Sequence, residues 1–193
     1  MSDSAAAVDL SRVAVVGTTG SGKTTLAADL ARRLDTAHVE LDALHWEPEW
    51  TPAPTDVFKR RAATALASDR WVVDGNYSYL RPDILPCADS VVWLRLPYRV
   101  GMWRTFRRTV ARAWDKRPIC GENYESWRQA FFSRDSILLW VHKRRDGSRT
   151  LVRDLREMDH SATVIELHSA REQREFQEWL DRENWPGRGT RSD

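Results

Sequence analysis

The chain has 193 residues, 41% of them hydrophobic and 10% aromatic, enough to bury one substantial core, so one domain spanning 1–193 is expected. Charged residues make up 30%, with a net charge of only +2, which excludes a disordered chain and argues against nucleic-acid binding by bulk charge. Two cysteines, Cys87 and Cys120, form neither a disulfide framework nor a metal motif. The longest apolar run, Ile137 to Val141, is far short of the roughly 20 residues a membrane helix needs. Met1 to Ser11 lacks the basic-then-apolar order of a secretory signal. The expectation is a soluble, cytoplasmic protein with no membrane partner.

In chain order, residues 1–10 read as a flexible tail. Arg12 to Val16 is a short apolar run ending at Gly17, the pattern of a strand buried on both faces. From Lys23 the pattern changes, and Leu26, Leu30 and Leu34 recur along one helix face. His38 to Leu41 is a second strand. Residues 45–54 hold three prolines and two tryptophans and read as a loop. Thr55 can cap a helix to about Ser68. Trp71-Val72-Val73 and Val91 to Leu96 are the third and fourth strands, and a helix follows over Tyr98 to Trp114. Residues 124–145 are helical again. Thr163 to Leu167 is a fifth strand, Arg171 to Leu180 a last helix, and 186–193 a second flexible tail. Short apolar strands alternating with helices give an α/β fold with a parallel sheet. The Arg-rich stretch of about 98–156 exceeds an ordinary crossover and reads as a helical lid.

Gly17-Thr18-Thr19-Gly20-Ser21-Gly22-Lys23-Thr24 matches G-x-x-x-x-G-K-[ST], a pattern met by chance in roughly 1 in 100 chains of this size. A strand precedes it and an amphipathic helix follows, as the mechanism requires. The glycines let successive backbone N–H groups turn inward onto a phosphate, and the helix N-terminus adds partial positive charge. Lys23 can reach the β- and γ-phosphates, the Thr24 hydroxyl can ligate Mg²⁺, and Thr25 completes the nucleotide-binding segment. The bound partners expected are therefore ATP and Mg²⁺. No guanine-reading Asn-Lys-x-Asp segment exists, which excludes a GTPase, and the chain is too short for the long insertions of ABC-type ATPases. Small kinases remain.

Three segments sharpen this: the phosphate loop, Glu40-Leu41-Asp42-Ala43-Leu44-His45-Trp46, and Trp71-Val72-Val73-Asp74-Gly75-Asn76-Tyr77. Together with Ser133-Arg134-Asp135-Ser136 and the Ile137-Leu138-Leu139-Trp140 that follows, they resemble the adenylate-kinase-related kinases called "DNA topology modulation" proteins. The resemblance spans about residues 12–180. It implies a P-loop NTPase of nucleoside-monophosphate-kinase-like fold, with a five-stranded parallel sheet in the order 2-3-1-4-5, helices on both faces, and transfer of the ATP γ-phosphate to an acceptor. It does not name that acceptor. The chain departs from true adenylate kinases: Leu34 to Lys59 contains no arginine, and the third strand ends Asp-Gly-Asn-Tyr. AMP, whose phosphate calls for bidentate arginines, is therefore no better an acceptor than a small molecule bearing a hydroxyl.

Asp42 lies past the end of the second strand, where ligands bind in open parallel sheets, and resemblance gives it the acceptor hydroxyl to orient or deprotonate; a turn aspartate is the plain alternative. Asp74 ends the third strand, and resemblance places it opposite Thr24, where it would hold Mg²⁺ through water; again a turn residue is the alternative. Asn76 and Tyr77 are lesser acceptor contacts. Between Arg95 and Arg117 there are eight Lys or Arg and one acid, Asp115. Arg104 and Arg108 share a helix face, and resemblance sets such a pair at the edge of the nucleotide site, against the alternative of a solvated basic face. Arg134 falls on the apolar stripe of Trp127, Phe131, Leu138 and Val141. It is either a lid arginine for the ATP phosphates or a structural ion pair. The five histidines share no metal-ligand spacing. Trp71, Trp93 and Trp140 belong to the core, while Trp46 and Trp50 either wall an acceptor pocket or simply pack the loop.

The function expected is thus an ATP-dependent phosphotransferase, with Lys23, Asp42, Asp74 and Arg134 as its catalytic residues. An ATPase switch and a nucleic-acid-associated P-loop protein are the alternatives.

Overall fold

A computed structural model describes residues 8–115, 152–155, 157 and 161–183. Five strands form one parallel sheet: β1 (Arg12–Gly17), β2 (Ala37–Glu40), β3 (Trp71–Asp74), β4 (Ser90–Leu94) and β5 (Thr163–Leu167). Their order across the sheet is β2-β3-β1-β4-β5, the expected 2-3-1-4-5. The strand β1 lies at the centre, with Val13 level with Val72 of β3 and Ser90 of β4.

The three inner strands β1, β3 and β4 are buried on both faces, and the period-2 alternation of a strand decides which side chain serves which face. Ala14, Val16, Trp71, Val73, Val91 and Trp93 join one core. This core is covered by α3 (Thr55–Ala65), through Phe58 and Ala62, and by the one-turn α4 (Arg81–Ile84). Val13, Val15, Val72, Val92, Leu94 and Leu167 join the other core. It is covered by α1 (Lys23–Leu34), through Leu26, Leu30 and Leu34, and by α6 (Ala170–Arg182), through Phe176 and Leu180. Asp29 of α1 ties these two helices, accepting hydrogen bonds from Arg33 Nε at 2.7 Å and from Gln177 Nε2 at 2.8 Å. Trp71 and Trp93 are 1% and 3% exposed, which makes them core residues as expected.

Several boundaries move for local reasons. The second strand starts at Ala37 and ends at Glu40, because Leu41 already begins the short helix α2 (Leu41–His45). The fourth strand is Ser90–Leu94. Thr55 is the first residue of α3 rather than its cap. The cap position belongs to Pro54, whose carbonyl accepts from Phe58 N at 2.9 Å and which makes no side-chain cap bond. The Pro- and Trp-containing loop holds a small antiparallel ribbon, Trp46–Glu47 against Thr51–Pro52. Glu49 and Trp50 make its turn at φ 61° and 57°. At the end of the expected N-terminal tail, Leu10 is buried and Asp9 O accepts from Ser90 Oγ, so the chain is anchored before β1 begins. From the expected lid, helix α5 (Tyr98–Asp115) is described. Residues 116–151, with Arg134 and Trp140, lie outside the described residues, as does the 186–193 tail. No described helix is long and apolar enough to cross a membrane.

Candidate active site

The loop between β1 and α1 closes over the C-terminal end of the central strand. Gly20 and Gly22 take φ of +77° and +96°, left-handed values that a side chain resists. Gly22 is the cap of α1, which carries no acid in its first turn, so the positive end of that helix dipole is uncompensated. Ser21 N donates to Thr18 O at 3.2 Å and tightens the loop. Lys23 Nζ bends back to donate to Thr18 O at 3.1 Å, placing its charge over the loop. Thr18 Oγ1 and Ser21 Oγ are buried and have no hydrogen-bond partner among the described residues. Buried hydroxyls of this kind call for an acceptor or donor that the protein does not itself supply. A cradle of this shape, with backbone donors and no carboxylate at the helix start, fits a polyphosphate.

Thr24 leads to the second half of the site. Its Oγ1 donates to Asp74 Oδ2 at 2.7 Å, across the gap between α1 and the end of β3. Asp74 is 3% exposed. A hydroxyl and a carboxylate side by side at the loop are hard oxygen donors of the kind Mg²⁺ takes, one or two from protein with the rest from phosphate and water. Among the described residues no group of three or more His, Cys, Asp or Glu is arranged to hold a metal ion. The two expected metal residues, Thr24 and Asp74, are brought into direct contact by their hydrogen bond.

The other oxygen of Asp74 is held by a residue that sequence reasoning left out. His38, on β2, meets Asp74 Oδ1 through Nε2 at 2.9 Å. That hydrogen bond holds the His38 pKa above the ordinary imidazole range, helped by the charges of Asp74 and Glu40 and opposed by partial burial. The available signal was positional: a polar ring on a four-residue strand beside the strand that ends in Asp74.

Asp42 lies in the first turn of α2, exposed, and accepts from Tyr77 Oη at 2.6 Å. This joins two of the residues expected at the acceptor. Tyr77 in turn packs with His45 and Phe58, at ring-centroid distances of 4.8 and 4.9 Å. Burial pushes the His45 pKa down, partly opposed by the charge of Asp42. Trp46 packs edge-on against His45 and against Trp50, so the loop tryptophans extend this aromatic wall. Gly75 follows Asp74 with φ +146°, and a Cβ there would lie 2.8 Å from Leu41 Cβ, so only glycine lets α2 approach this closely.

A small, mostly apolar cleft lies beside Asp74 and Gly75, walled by Val16, Leu41, Val73 and Ile84, with Tyr77 and Arg81 as its other polar residues. Arg81 was not expected. It is 6% exposed, donates through Nη2 to Asn76 Oδ1 at 2.5 Å and pairs through Nη1 with Asp154 at 2.5 Å. Asn76 thus holds Arg81 in place.

The helix α5 seats directly on the phosphate loop. Gly101 faces Gly20, and Thr105, fully buried with its Oγ1 unpartnered among the described residues, lies beside them. Arg104 Nη1 donates to Ser21 O at 3.4 Å, so it does reach the loop expected to bind nucleotide. Arg108 sits one turn further on in α5. Thr25 is exposed on α1 and Thr19 presents its carbonyl to Gly101. Arg134 falls outside the described residues.

No protein-family model matches the sequence, and no curated protein matches it significantly. Solved structures do. Shikimate kinase from Acinetobacter baumannii, in complex with shikimate, superposes with a TM-score of 0.52 at 20% identity, over 90% of this chain and 93% of that one. A gluconokinase from Sinorhizobium meliloti matches at 0.49 and 21%, over 90% and 93%. Shikimate kinase from Bacteroides thetaiotaomicron matches at 0.48 and 14%, over 88% and 98%. The parallel sheet in the order 2-3-1-4-5, the loop at the end of its central strand, and the Acinetobacter neighbour show that this chain has the fold of that shikimate kinase.

Proposed function

We propose that the protein is an ATP-dependent phosphotransferase that uses Mg²⁺ and moves the γ-phosphate of ATP to the hydroxyl of a small-molecule acceptor. The observation that supports this most is the Thr24–Asp74 contact of 2.7 Å at the mouth of the phosphate loop. It joins the last residue of the loop motif to an acid on the neighbouring strand, and a Gly-rich turn of purely structural use has no need of that junction.

The roles follow from position. Gly17 to Gly22 offer backbone donors to the phosphates, and Lys23 neutralises them. Thr24 and Asp74 would hold the metal ion, which when bound supplies charge neutralisation for the transferring group. Arg104 and Arg108 serve the nucleotide edge, with Arg104 already on the loop. Arg134 is the lid arginine in this proposal. Asp42, exposed and held by Tyr77, orients the acceptor hydroxyl and accepts its proton. In this proposal residues 1–193 form one kinase domain in the cytoplasm with no membrane partner, and a nucleic-acid-associated P-loop protein stays the alternative. Its likeness to the "DNA topology modulation" kinases rests on the Asp42 and Asp74 segments.

A screen of phosphate transfer from ATP tests it, across nucleosides, nucleotides, small polyols and shikimate, the ligand of the Acinetobacter neighbour. One acceptor class should raise turnover well above hydrolysis without acceptor. Equal turnover with and without every acceptor would make the protein an ATPase instead. On the accepted substrate, Asp42→Asn should lower kcat by at least about 100-fold, the usual reach of a positioned general base. ATP affinity should stay within about threefold. A loss of ATP affinity instead would move Asp42 to the nucleotide side.

A further inference from the structure

We propose that His38 is a positioning residue for the metal–nucleotide site, its Nε2–H fixing the Asp74 carboxylate so that Oδ2 faces Thr24. The inference rests on the kinase reading above and adds a residue to it.

A carboxylate has two oxygens and a broad, roughly two-fold torsion about its terminal bond. Asp74 is almost fully buried, so water does little to orient it. Thr24 addresses only Oδ2, at 2.7 Å, and a single contact from a rotatable hydroxyl leaves the plane of the group undetermined. The second contact comes from His38, at 2.9 Å on Oδ1. Two donors on opposite oxygens define both the plane and the direction of the carboxylate.

The sheet supplies the reach. In the parallel β2–β3 pair, His38 lies level with Val72 and Glu40 level with Asp74, so the His38 ring extends one pleat forward along the strand to meet the acid. Side chains two apart share a face, which keeps the ring on the correct side. An ionised carboxylate only accepts, so Nε2 carries the hydrogen whether the ring is neutral or charged. The role therefore needs no change of protonation.

A purely packing role fits the surroundings poorly. The His38 side chain remains 22% exposed, while its strand neighbour Val39 is the residue β2 gives to the core. Partners that orient metal-binding groups in this way, themselves off the metal, typically contribute 10- to 100-fold in metal affinity.

The test measures binding of a non-hydrolysable ATP analogue, with and without Mg²⁺, to the wild type and to His38→Leu, His38→Gln and Asp74→Asn, with melting temperatures on the same preparations. His38→Leu should raise the Mg²⁺ concentration for half-maximal analogue binding by about tenfold or more. Its affinity in excess chelator should stay within about twofold of wild type. His38→Gln, whose amide can place a donor near the Nε2 position, should recover most of the loss. A Mg²⁺ midpoint unchanged in His38→Leu, or a His38→Gln variant as impaired as His38→Leu, overturns the proposal. If His38→Leu does not fold, His38→Ala gives the same comparison. A wild type that binds the analogue identically with and without Mg²⁺ overturns the kinase reading itself. A midpoint shift in Asp74→Asn with none in His38→Leu removes His38 alone.

Discussion

Lys23→Ala should lower phosphoryl transfer by about 10³-fold while the protein stays folded. Lys23 Nζ donates to the Thr18 carbonyl at 3.1 Å, folded back onto its own loop. That bond is only partly buried, and a net contribution of about 1 kcal/mol is the usual magnitude. For a domain of this size such a loss lowers the melting temperature by about 2–4 °C. In the proposed transfer the same ammonium would face phosphate oxygens in a water-poor loop. Removing one preorganised charge stabiliser from such a site costs about 10²- to 10³-fold. The two effects differ enough to be separated by circular dichroism melting and turnover on one preparation. A folded variant with near-normal turnover would dismiss the phosphate-loop assignment.

Gly20→Ala should lower stability by about 2–5 kcal/mol, and the cause is a contact that no local pattern announces. At φ +77° an L-residue costs about 1–2 kcal/mol. The added Cβ would also lie 2.2 Å from Gly101 O, on a helix backbone that cannot swing aside, and 2.4 Å from the Thr105 side-chain Oγ1. Overpacking of this kind costs about 1–3 kcal/mol. At about 2–4 °C per kcal/mol, the melting temperature should drop by roughly 4–20 °C. Nucleotide affinity should fall too, since relief requires either the loop or α5 to move. Gly101→Ala is the control. Its Cβ would be 2.9 Å from Thr19 O, a milder overlap, and alanine gains about 1 kcal/mol over glycine inside a helix. Gly101→Ala should therefore be much closer to wild type. Equal melting of Gly20→Ala and wild type would refute the seating of α5 on the loop.

The parts of this protein written in local pattern were legible in its sequence. The strand-loop-helix unit from Arg12 to Leu34 needs only period, glycine chemistry and a lysine at a fixed offset. Asp74 could be set opposite Thr24 because resemblance supplied the strand order, and the contact is there. What stayed hidden depends on which side chains the sheet brings together. His38 offered no metal-ligand spacing, and its partner is 36 positions away on an adjacent strand. Arg81 looked like one arginine among many until Asn76 and Asp154 closed around it. The cap of α3 went to Pro54 because a carbonyl and a fixed φ can start a helix without a side-chain acceptor. Arg104 reached the phosphate loop because two glycines, Gly20 and Gly101, let the helix come close; side-chain spacing on α5 carries no record of that.

The central place of β1 bears on the order in which the molecule can be assembled. The first strand made is the one that borders both β3 and β4, and Arg12 N already reaches to Asp89 Oδ2 at 3.0 Å. Until residues 71–94 arrive, Val13 to Val16 form an apolar segment without its hydrogen-bonding neighbours. Such long-range parallel pairing is slow, because loop-closure entropy is lost before contacts compensate it. The phosphate loop hangs from the end of this strand, so nucleotide affinity should return during refolding no sooner than Trp71 and Trp93 are shielded from solvent. Stopped-flow tryptophan emission, set beside recovery of nucleotide binding, would show whether it does. In a newly made chain, the capacity to hold nucleotide would then be a sign that the sheet has closed.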